Sequence, residues 1–178
     1  IVNTGGNHAD LTDDYAAVPA EMKAVAAHFG HSVLREVSED EFYAAIPALR
    51  TACGDRAVMR AIHFFNENRR VDAQREALEK DDLDAFFCGV RDSGLSSFRY
   101  LQNVYTTKNV AEQGLSLALC LTEHFFETHG INGACRVHGG GFAGTVQAYL
   151  PAGDADKYAA AMNAVFGADA TYVLRIRR

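Results

Sequence analysis

The chain predicts an α+β fold with a small antiparallel sheet, and three observations carry that prediction. Strand-like runs sit only at the two ends, in residues 1–4, 135–150 and 171–176. The long middle carries apolar residues at helical spacing. Late in the chain an apolar run enters the triplet Gly139-Gly140-Gly141 and an alternating run leaves it, the pattern of strand, turn and strand. Strands gathered at the ends with helices between them point to α+β and against an alternating α/β fold.

Taken in order, residues 1–4 form a short β-like run closing on Gly5-Gly6, and an irregular polar link runs from Asn7 to Leu11. Thr12 or Asp13 is expected to cap a helix over residues 13–29, with Tyr15, Val18, Met22, Val25, Ala26 and Phe29 on its apolar face and Gly30 at its end. Pro19 is placed in the first two turns of that helix, where a missing N–H costs little. Ser38 and Glu41 have the spacing of a capping box, opening a short helix that Pro47 ends or interrupts.

After Gly54 comes the longest helical pattern, residues 56–80, with a stripe through Val58, Ile62, Phe65, Arg69 and Asp72 flanked by Ala61, Phe64, Val71 and Leu78. The charged run Glu67, Arg69, Arg70, Asp72 and Arg75 reads as a solvated face with i,i+4 pairing. Asp81-Asp82 restarts a helix that loosens at Gly94. A further helix, apolar nearly all round and so expected mid-fold, is predicted from Asn109 through Val110, Leu115, Leu117, Leu119, Leu121, Phe125 and Phe126 to Gly130 and Gly133. Asp154 caps a last amphipathic helix that Gly167 ends, and residues 171–176 alternate as a final strand.

At 178 residues the chain fits one domain, or one half of a two-domain enzyme. A chain of this size buries roughly 70% of its unfolded surface. Seventeen basic against 23 acidic side chains give a net charge of -6, which disfavours an electrostatic role on nucleic acid or anionic membrane. The basic cluster Arg175-Ile176-Arg177-Arg178 is too short to reverse that. Cys53, Cys88, Cys120 and Cys135 are widely spaced with no CxxC, and read as reduced, buried thiols of a cytoplasmic protein. No apolar run approaches membrane-spanning length. The opening Ile1-Val2-Asn3-Thr4 reads as the middle of a strand, so an excised fragment is expected.

Glycine tolerates positive φ and has no Cβ, so the triplet bends tightly and lets a group approach its N–H donors closely; the natural guest is an anion such as phosphate. A glycine hairpin without a ligand is the competing reading. Among seven histidines no metal or catalytic set stands out: His28 and His31 straddle Gly30, and His138, beside the turn, reads as strand packing. No carboxylate pair has a spacing that claims acid/base catalysis.

The pattern GGGFxG between two strands resembles the third motif of the GHMP small-molecule kinases, and Arg136-Val137-His138-Gly139-Gly140-Gly141-Phe142-Ala143-Gly144 is most similar to galactokinases. Three further stretches resemble the same family: His8-Ala9-Asp10-Leu11-Thr12-Asp13-Asp14-Tyr15, where the family ends a segment in Ser-Ser-Glu-Tyr; His63 to Val71, like its H-x-x-x-E-N-x-R-V helix; and Thr171 to Ile176, like its closing strand. All belong to the family's C-terminal half, which implies a ferredoxin-like sheet packed with helices. Gly94-Leu95-Ser96-Ser97-Phe98 imitates the family's phosphate loop in letters only and lies in an expected helix. Thr12-Asp13-Asp14, His138, Ala143 and most of residues 92–111 depart from the family pattern, which leaves the sugar open.

The resemblance implies transfer of the γ-phosphoryl of ATP to the C1 hydroxyl of galactose, with Mg²⁺ bridging the phosphates. Tyr15 would face the sugar, and Gly139, Gly140, Gly141, Phe142 and Gly144 the phosphates. The catalytic residues and main ATP loop would come from the protein's own N-terminal half, so the chain alone is expected to be inactive. A kinase-like sensor, a sugar-binding module, or a kinase for N-acetylgalactosamine or arabinose are the alternatives.

Overall fold

The computed structural model describes residues 1–6 and 10–174. Part of the predicted polar link and the basic cluster at 175–178 lie outside the described residues.

Strand β1 (Val2–Asn3) pairs antiparallel with β3 (Thr145–Tyr149), which pairs antiparallel with β2 (Ala134–His138). The order is β1-β3-β2, and Thr171 bridges to Val2 on the open side of β1. Of the predicted final strand, the described residues 171–174 form a single bridge, continued by a Tyr172 N–H bond to the Ile1 carbonyl. This small antiparallel sheet packed with helices is the predicted α+β architecture.

Period-two alternation splits the sheet into two faces. Val2, Val146 and Val137 are in register across the three strands and are at most 2% exposed. They pack with Cys135 against α6 (Gly114–His129) and α7 (Ala155–Phe166) through Leu115, Ala118, Phe125, Phe126, Tyr158 and Met162. On the other face lies α5 (Leu83–Ser96). A Cβ on Gly94 would stand 3.2 Å from that of Arg136, so the missing side chain permits the helix–strand approach.

A second apolar core holds the remaining helices together. Here α1 (Thr12–His28), α2 (Glu39–Ala44), α3 (Ile46–Cys53) and α4 (Asp55–Glu79) join through Val25, Ala26, Leu34, Phe42, Leu49, Val58, Ala61 and Phe65. Gly54 (φ +86°) turns the chain between α3 and α4. Asp82 caps α5, its carboxylate accepting from the Ala85 N–H at 2.9 Å.

Several local expectations are corrected. Leu11, not Thr12 or Asp13, flanks α1 and no side chain caps it; Leu11 is buried instead, while Asp13 and Asp14 sit in the first turn. Pro19 lies deeper than the first two turns and removes the N–H that would reach the Tyr15 carbonyl. Ser38 stands at the N-cap of α2 but its side chain makes no capping bond, so the expected capping box with Glu41 is not formed. Helix α5 does not loosen at Gly94 but runs into a π-helical turn, Ser97–Leu101. Helix α6 begins at Gly114, and Val110, placed in it by its apolarity, is 68% exposed. Leu117 and Cys120 also face solvent, so α6 covers one side of the sheet and is not enclosed. Cys88 is exposed as well; only Cys135 is fully buried, and burial raises its thiol pKa to about 12.

The charged run on α4 is only partly a solvated face. Arg69 and Arg75 pair at the surface with Glu39 and Glu79. Glu67 and Arg70 turn inward and meet β2 and α5: Ser93 donates to Glu67 at 2.6 Å, and Arg136 lies 3.6 Å from the same carboxylate. His63, one turn earlier, is 7% exposed and shares a 2.9 Å hydrogen bond with Ser96. Burial first, then the charges of Arg136 and Arg70, lower its pKa to about 4, so the ring is neutral at pH 7. This polar seam joins the two apolar cores.

Candidate functional site

The turn between β2 and β3 alternates its backbone sign. Gly139 and Gly141 have φ of +76° and +81°, whereas Gly140 between them does not have positive φ. Alternation of this kind turns successive N–H groups toward one side, the geometry of an anion nest. Among the described residues the N–H groups of Gly139 and Gly140 have no acceptor, and they lie within a hydrogen-bonded turn that runs from His138 to Gly141. Phe142 and Ala143 do have them: the Phe142 N–H donates to the Asn103 carbonyl at 2.5 Å and the Ala143 N–H to that of Gly141 at 2.7 Å. The second bond closes a three-residue turn centred on Phe142, which adopts φ +58°. Gly144 (φ +99°) leads into β3, and its carbonyl accepts from both the N–H and the hydroxyl of Thr4 at 2.9 Å.

Tyr15, in the first turn of α1, is brought against this turn from far away in sequence. Its hydroxyl donates to the Gly141 carbonyl at 2.7 Å, and its ring meets the Phe142 ring edge-on at 5.4 Å. A Cβ on Gly140 would stand 2.8 Å from the Tyr15 ring. So the bar to a side chain at Gly140 is the tyrosine ring, not the backbone angle. Partial burial raises the Tyr15 pKa.

All six residues singled out from sequence therefore meet at one place. His138 does not join them: it is exposed at the end of β2 and bonds Gln147 at 3.0 Å, so its expected packing is a cross-strand hydrogen bond.

The remaining wall comes from residues the sequence reading missed. Asn103, 3% exposed, follows the left-handed Gln102 (φ +56°) and donates from Nδ2 to the Gly140 carbonyl at 3.1 Å. Thr106 donates to Asp14 at 3.0 Å, and Lys108 lies 3.8 Å from the same carboxylate. Arg60, on α4, is 2% exposed; it donates to Glu21 at 2.8 Å and to the Leu101 carbonyl at 3.1 Å. Burial lowers its pKa, while Arg56, bonded to the same Glu21, has its pKa raised. Phe142 separates a recess of about 330 Å³, lined by Asp14, Arg56, Arg60 and Arg99, from an open groove of about 900 Å³ lined by Gly5, Gly6, Lys108 and Ala143.

The donor-rich turn fits a phosphate group. Magnesium is different: among the described residues no cluster of three or more His, Cys, Asp or Glu side chains could hold a metal ion.

No family model matches the chain. Curated proteins do. A galactokinase of Actinobacillus pleuropneumoniae serotype 5b is 28% identical over 157 residues, spanning 86% of this chain and 37% of the relative. Those of Haemophilus influenzae (strain Rd) and Mannheimia succiniciproducens are each 30% identical, spanning 85% of this chain and 36% of theirs. The chain thus spans little more than a third of the length of these relatives. Among solved structures, galactokinase of Lactococcus lactis, complexed with galactose, superposes with a TM-score of 0.70 at 22% identity, over 93% of this chain and 40% of that one. In sequence and in fold, the chain is similar to the C-terminal part of galactokinases.

Proposed function

We propose that this chain supplies one wall of the cleft of an ATP-dependent sugar kinase that phosphorylates galactose at its C1 hydroxyl. One observation carries the reading: a glycine turn whose Gly139 and Gly140 N–H donors lack acceptors among the described residues, latched to the hydroxyl of Tyr15. The galactokinase names of the relatives and the galactose in the Lactococcus complex favour this sugar.

In this reading residues 139–144 face the phosphates and Tyr15 faces the sugar. Having donated its proton to Gly141, the Tyr15 oxygen accepts from a sugar hydroxyl. Phosphoryl transfer depends on positioning and on spreading charge over preorganised donors, which is what a fixed nest of N–H groups offers. When bound, Mg²⁺ would neutralise phosphate charge, held mainly by the N-terminal half that the resemblance implies. The catalytic base and main ATP loop lie outside the chain as well, so the isolated chain releases no ADP.

The test is ADP release by the full-length protein over galactose, N-acetylgalactosamine and arabinose, alongside Gly140→Val. The expected result is turnover on galactose, with kcat falling strongly in Gly140→Val and, because the valine would displace the Tyr15 ring, KM for galactose rising as well. No turnover on any of the three would favour a sensor. A Gly140→Val protein that melts and turns over like wild type would remove the phosphate role.

A further inference from the structure

Asn103 does more than border the glycine turn. It grips it at two points: its backbone carbonyl takes the Phe142 N–H at 2.5 Å, and its side-chain Nδ2 donates to the Gly140 carbonyl at 3.1 Å. The fit leaves no slack, since a Cβ on Gly141 would lie 2.0 Å from the Asn103 carbonyl oxygen and 2.6 Å from Nδ2. The grip is itself anchored. Leu101, two residues earlier, gives its carbonyl to the buried Arg60, and Gln102 takes the left-handed conformation that turns Asn103 toward the glycines. Asn103 Oδ1 is buried with no hydrogen-bond partner, so the amide pays a desolvation penalty to hold this orientation.

A left-handed residue, a half-satisfied buried amide and a positive-φ Phe142 are each costly, and such costs persist where the surroundings over-determine the geometry. We propose that Asn103 is the positioning residue of the glycine turn: its Nδ2 pulls the Gly140 carbonyl back, and thereby holds the neighbouring N–H groups toward the incoming phosphate. This rests on the reading that the turn faces the phosphates. None of the turn's own letters encode it, because the residue that sets the shape lies 37 positions away.

Asn103→Asp in the full-length protein is the test, because it is nearly isosteric and replaces a donor by a titratable group. Ionised, the carboxylate faces the Gly140 carbonyl and repels it; protonated, its O–H can donate there as Nδ2 does. Burial raises the pKa of the introduced acid, placing the change within reach of an activity assay. At pH 8 kcat is expected to fall tenfold or more with KM for galactose changed less than threefold. As pH falls, the kcat ratio to wild type should recover, measured where both proteins are folded. In protein labelled with ¹⁵N-glycine, the Gly140 and Gly141 resonances should move while Gly30, Gly54 and Gly167 stay put.

Glycine resonances that do not move, or a kcat ratio flat with pH, would overturn the proposal. Should Asn103→Asp fail to fold, Asn103→Ser is read for the same kcat loss and resonance shifts. Failure of both to fold would overturn the proposal too, by making Asn103 a stability residue. A fault in the phosphate reading shows separately, as glycine resonances that move with kcat unchanged.

Discussion

Replacing Arg60 probes how the second core is tied to the site. The side chain is 2% exposed and spans three elements, rising from α4, pairing with Glu21 of α1 and holding the Leu101 carbonyl at the end of the π-helical turn. Arg60→Ala removes two buried methylenes beyond Cβ, at about 0.8 kcal/mol each. It also leaves the Leu101 carbonyl without that donor, which costs roughly 1–3 kcal/mol. Glu21 is not stranded, because Arg56 still holds it with a 2.9 Å bond from Nε. The total, about 3–5 kcal/mol, matches the range for breaking a buried pair. At roughly 2–4 °C per kcal/mol for a chain of this size, Tm should drop by about 6–20 °C. Arg60→Met keeps the buried stem and loses only the polar contacts, so it should recover about 1–2 kcal/mol of that loss. Urea unfolding of the full-length protein and both variants, followed by circular dichroism, reads the difference. An alanine variant with an unchanged midpoint would refute the clamp, and a methionine variant no better than alanine would refute the division between stem and charge.

Three more outcomes are expected. Tyr15→Phe loses the bond to Gly141, but that carbonyl keeps the Ala143 N–H, so the stability cost is roughly 0.5–1.5 kcal/mol; in the proposed kinase its KM for galactose rises while that for ATP stays put, and unchanged kinetics would return Tyr15 to a packing role. Because the folded pKa of His63, about 4, lies below its ordinary 6.5, the unfolded chain binds the proton first, so stability is complete above pH 6.5 and falls with pH toward 4. Between pH 7 and 5 wild type should lose more stability than His63→Gln, and parallel losses in thermal melts would contradict the burial argument. Finally, Cys88 and Cys120 are exposed and should react promptly with a thiol-specific chromogenic disulfide, whereas Cys135, with its thiol raised to about 12, should react only on unfolding; a fast Cys135 would mean that β2 is open.

What the sequence disclosed and what it hid divide by the range of the interaction. Asp82, Gly30, Gly130 and Gly167 act within a turn of their own position, as a cap or as a helix stop at positive φ, and were legible. So were the strands flanking the glycine turn, whose alternation is local. Val110 misled because apolarity without a partner says nothing of burial, and the chain there turns outward before α6 begins at Gly114. Glu67 and Arg70 misled for the opposite reason: their spacing fits a surface pair, and only Ser93 and Arg136 draw them inward. Tyr15 and the glycines were found by pattern, but their contact was not; it joins residues 126 positions apart. Asn103 left no signal, since an asparagine in an irregular segment is indistinguishable from one in solvent.

Phe142 shows why the site depends on all these distant contacts at once. A non-glycine residue at φ +58° is strained, by roughly 1–3 kcal/mol, and within the turn itself only the Ala143 N–H bond to the Gly141 carbonyl offsets that. What holds it comes from three directions: the Asn103 carbonyl on its N–H, the Tyr15 ring against its edge, and Thr4 on the carbonyl of Gly144. Its side chain, 5% exposed, returns part of the cost by burial. A glycine here would relieve the strain but lose both the buried ring and the edge contact to Tyr15, leaving the hydroxyl of Tyr15 less well aimed at Gly141. Phe142→Gly is therefore expected to lower stability and activity together, whereas Phe142→Leu, which keeps the bulk but not the ring edge, should lower stability less and leave the Gly141 resonance shifted. If glycine proved the more stable of the two, the strain would outweigh the packing and the turn would owe its shape to something other than these three contacts.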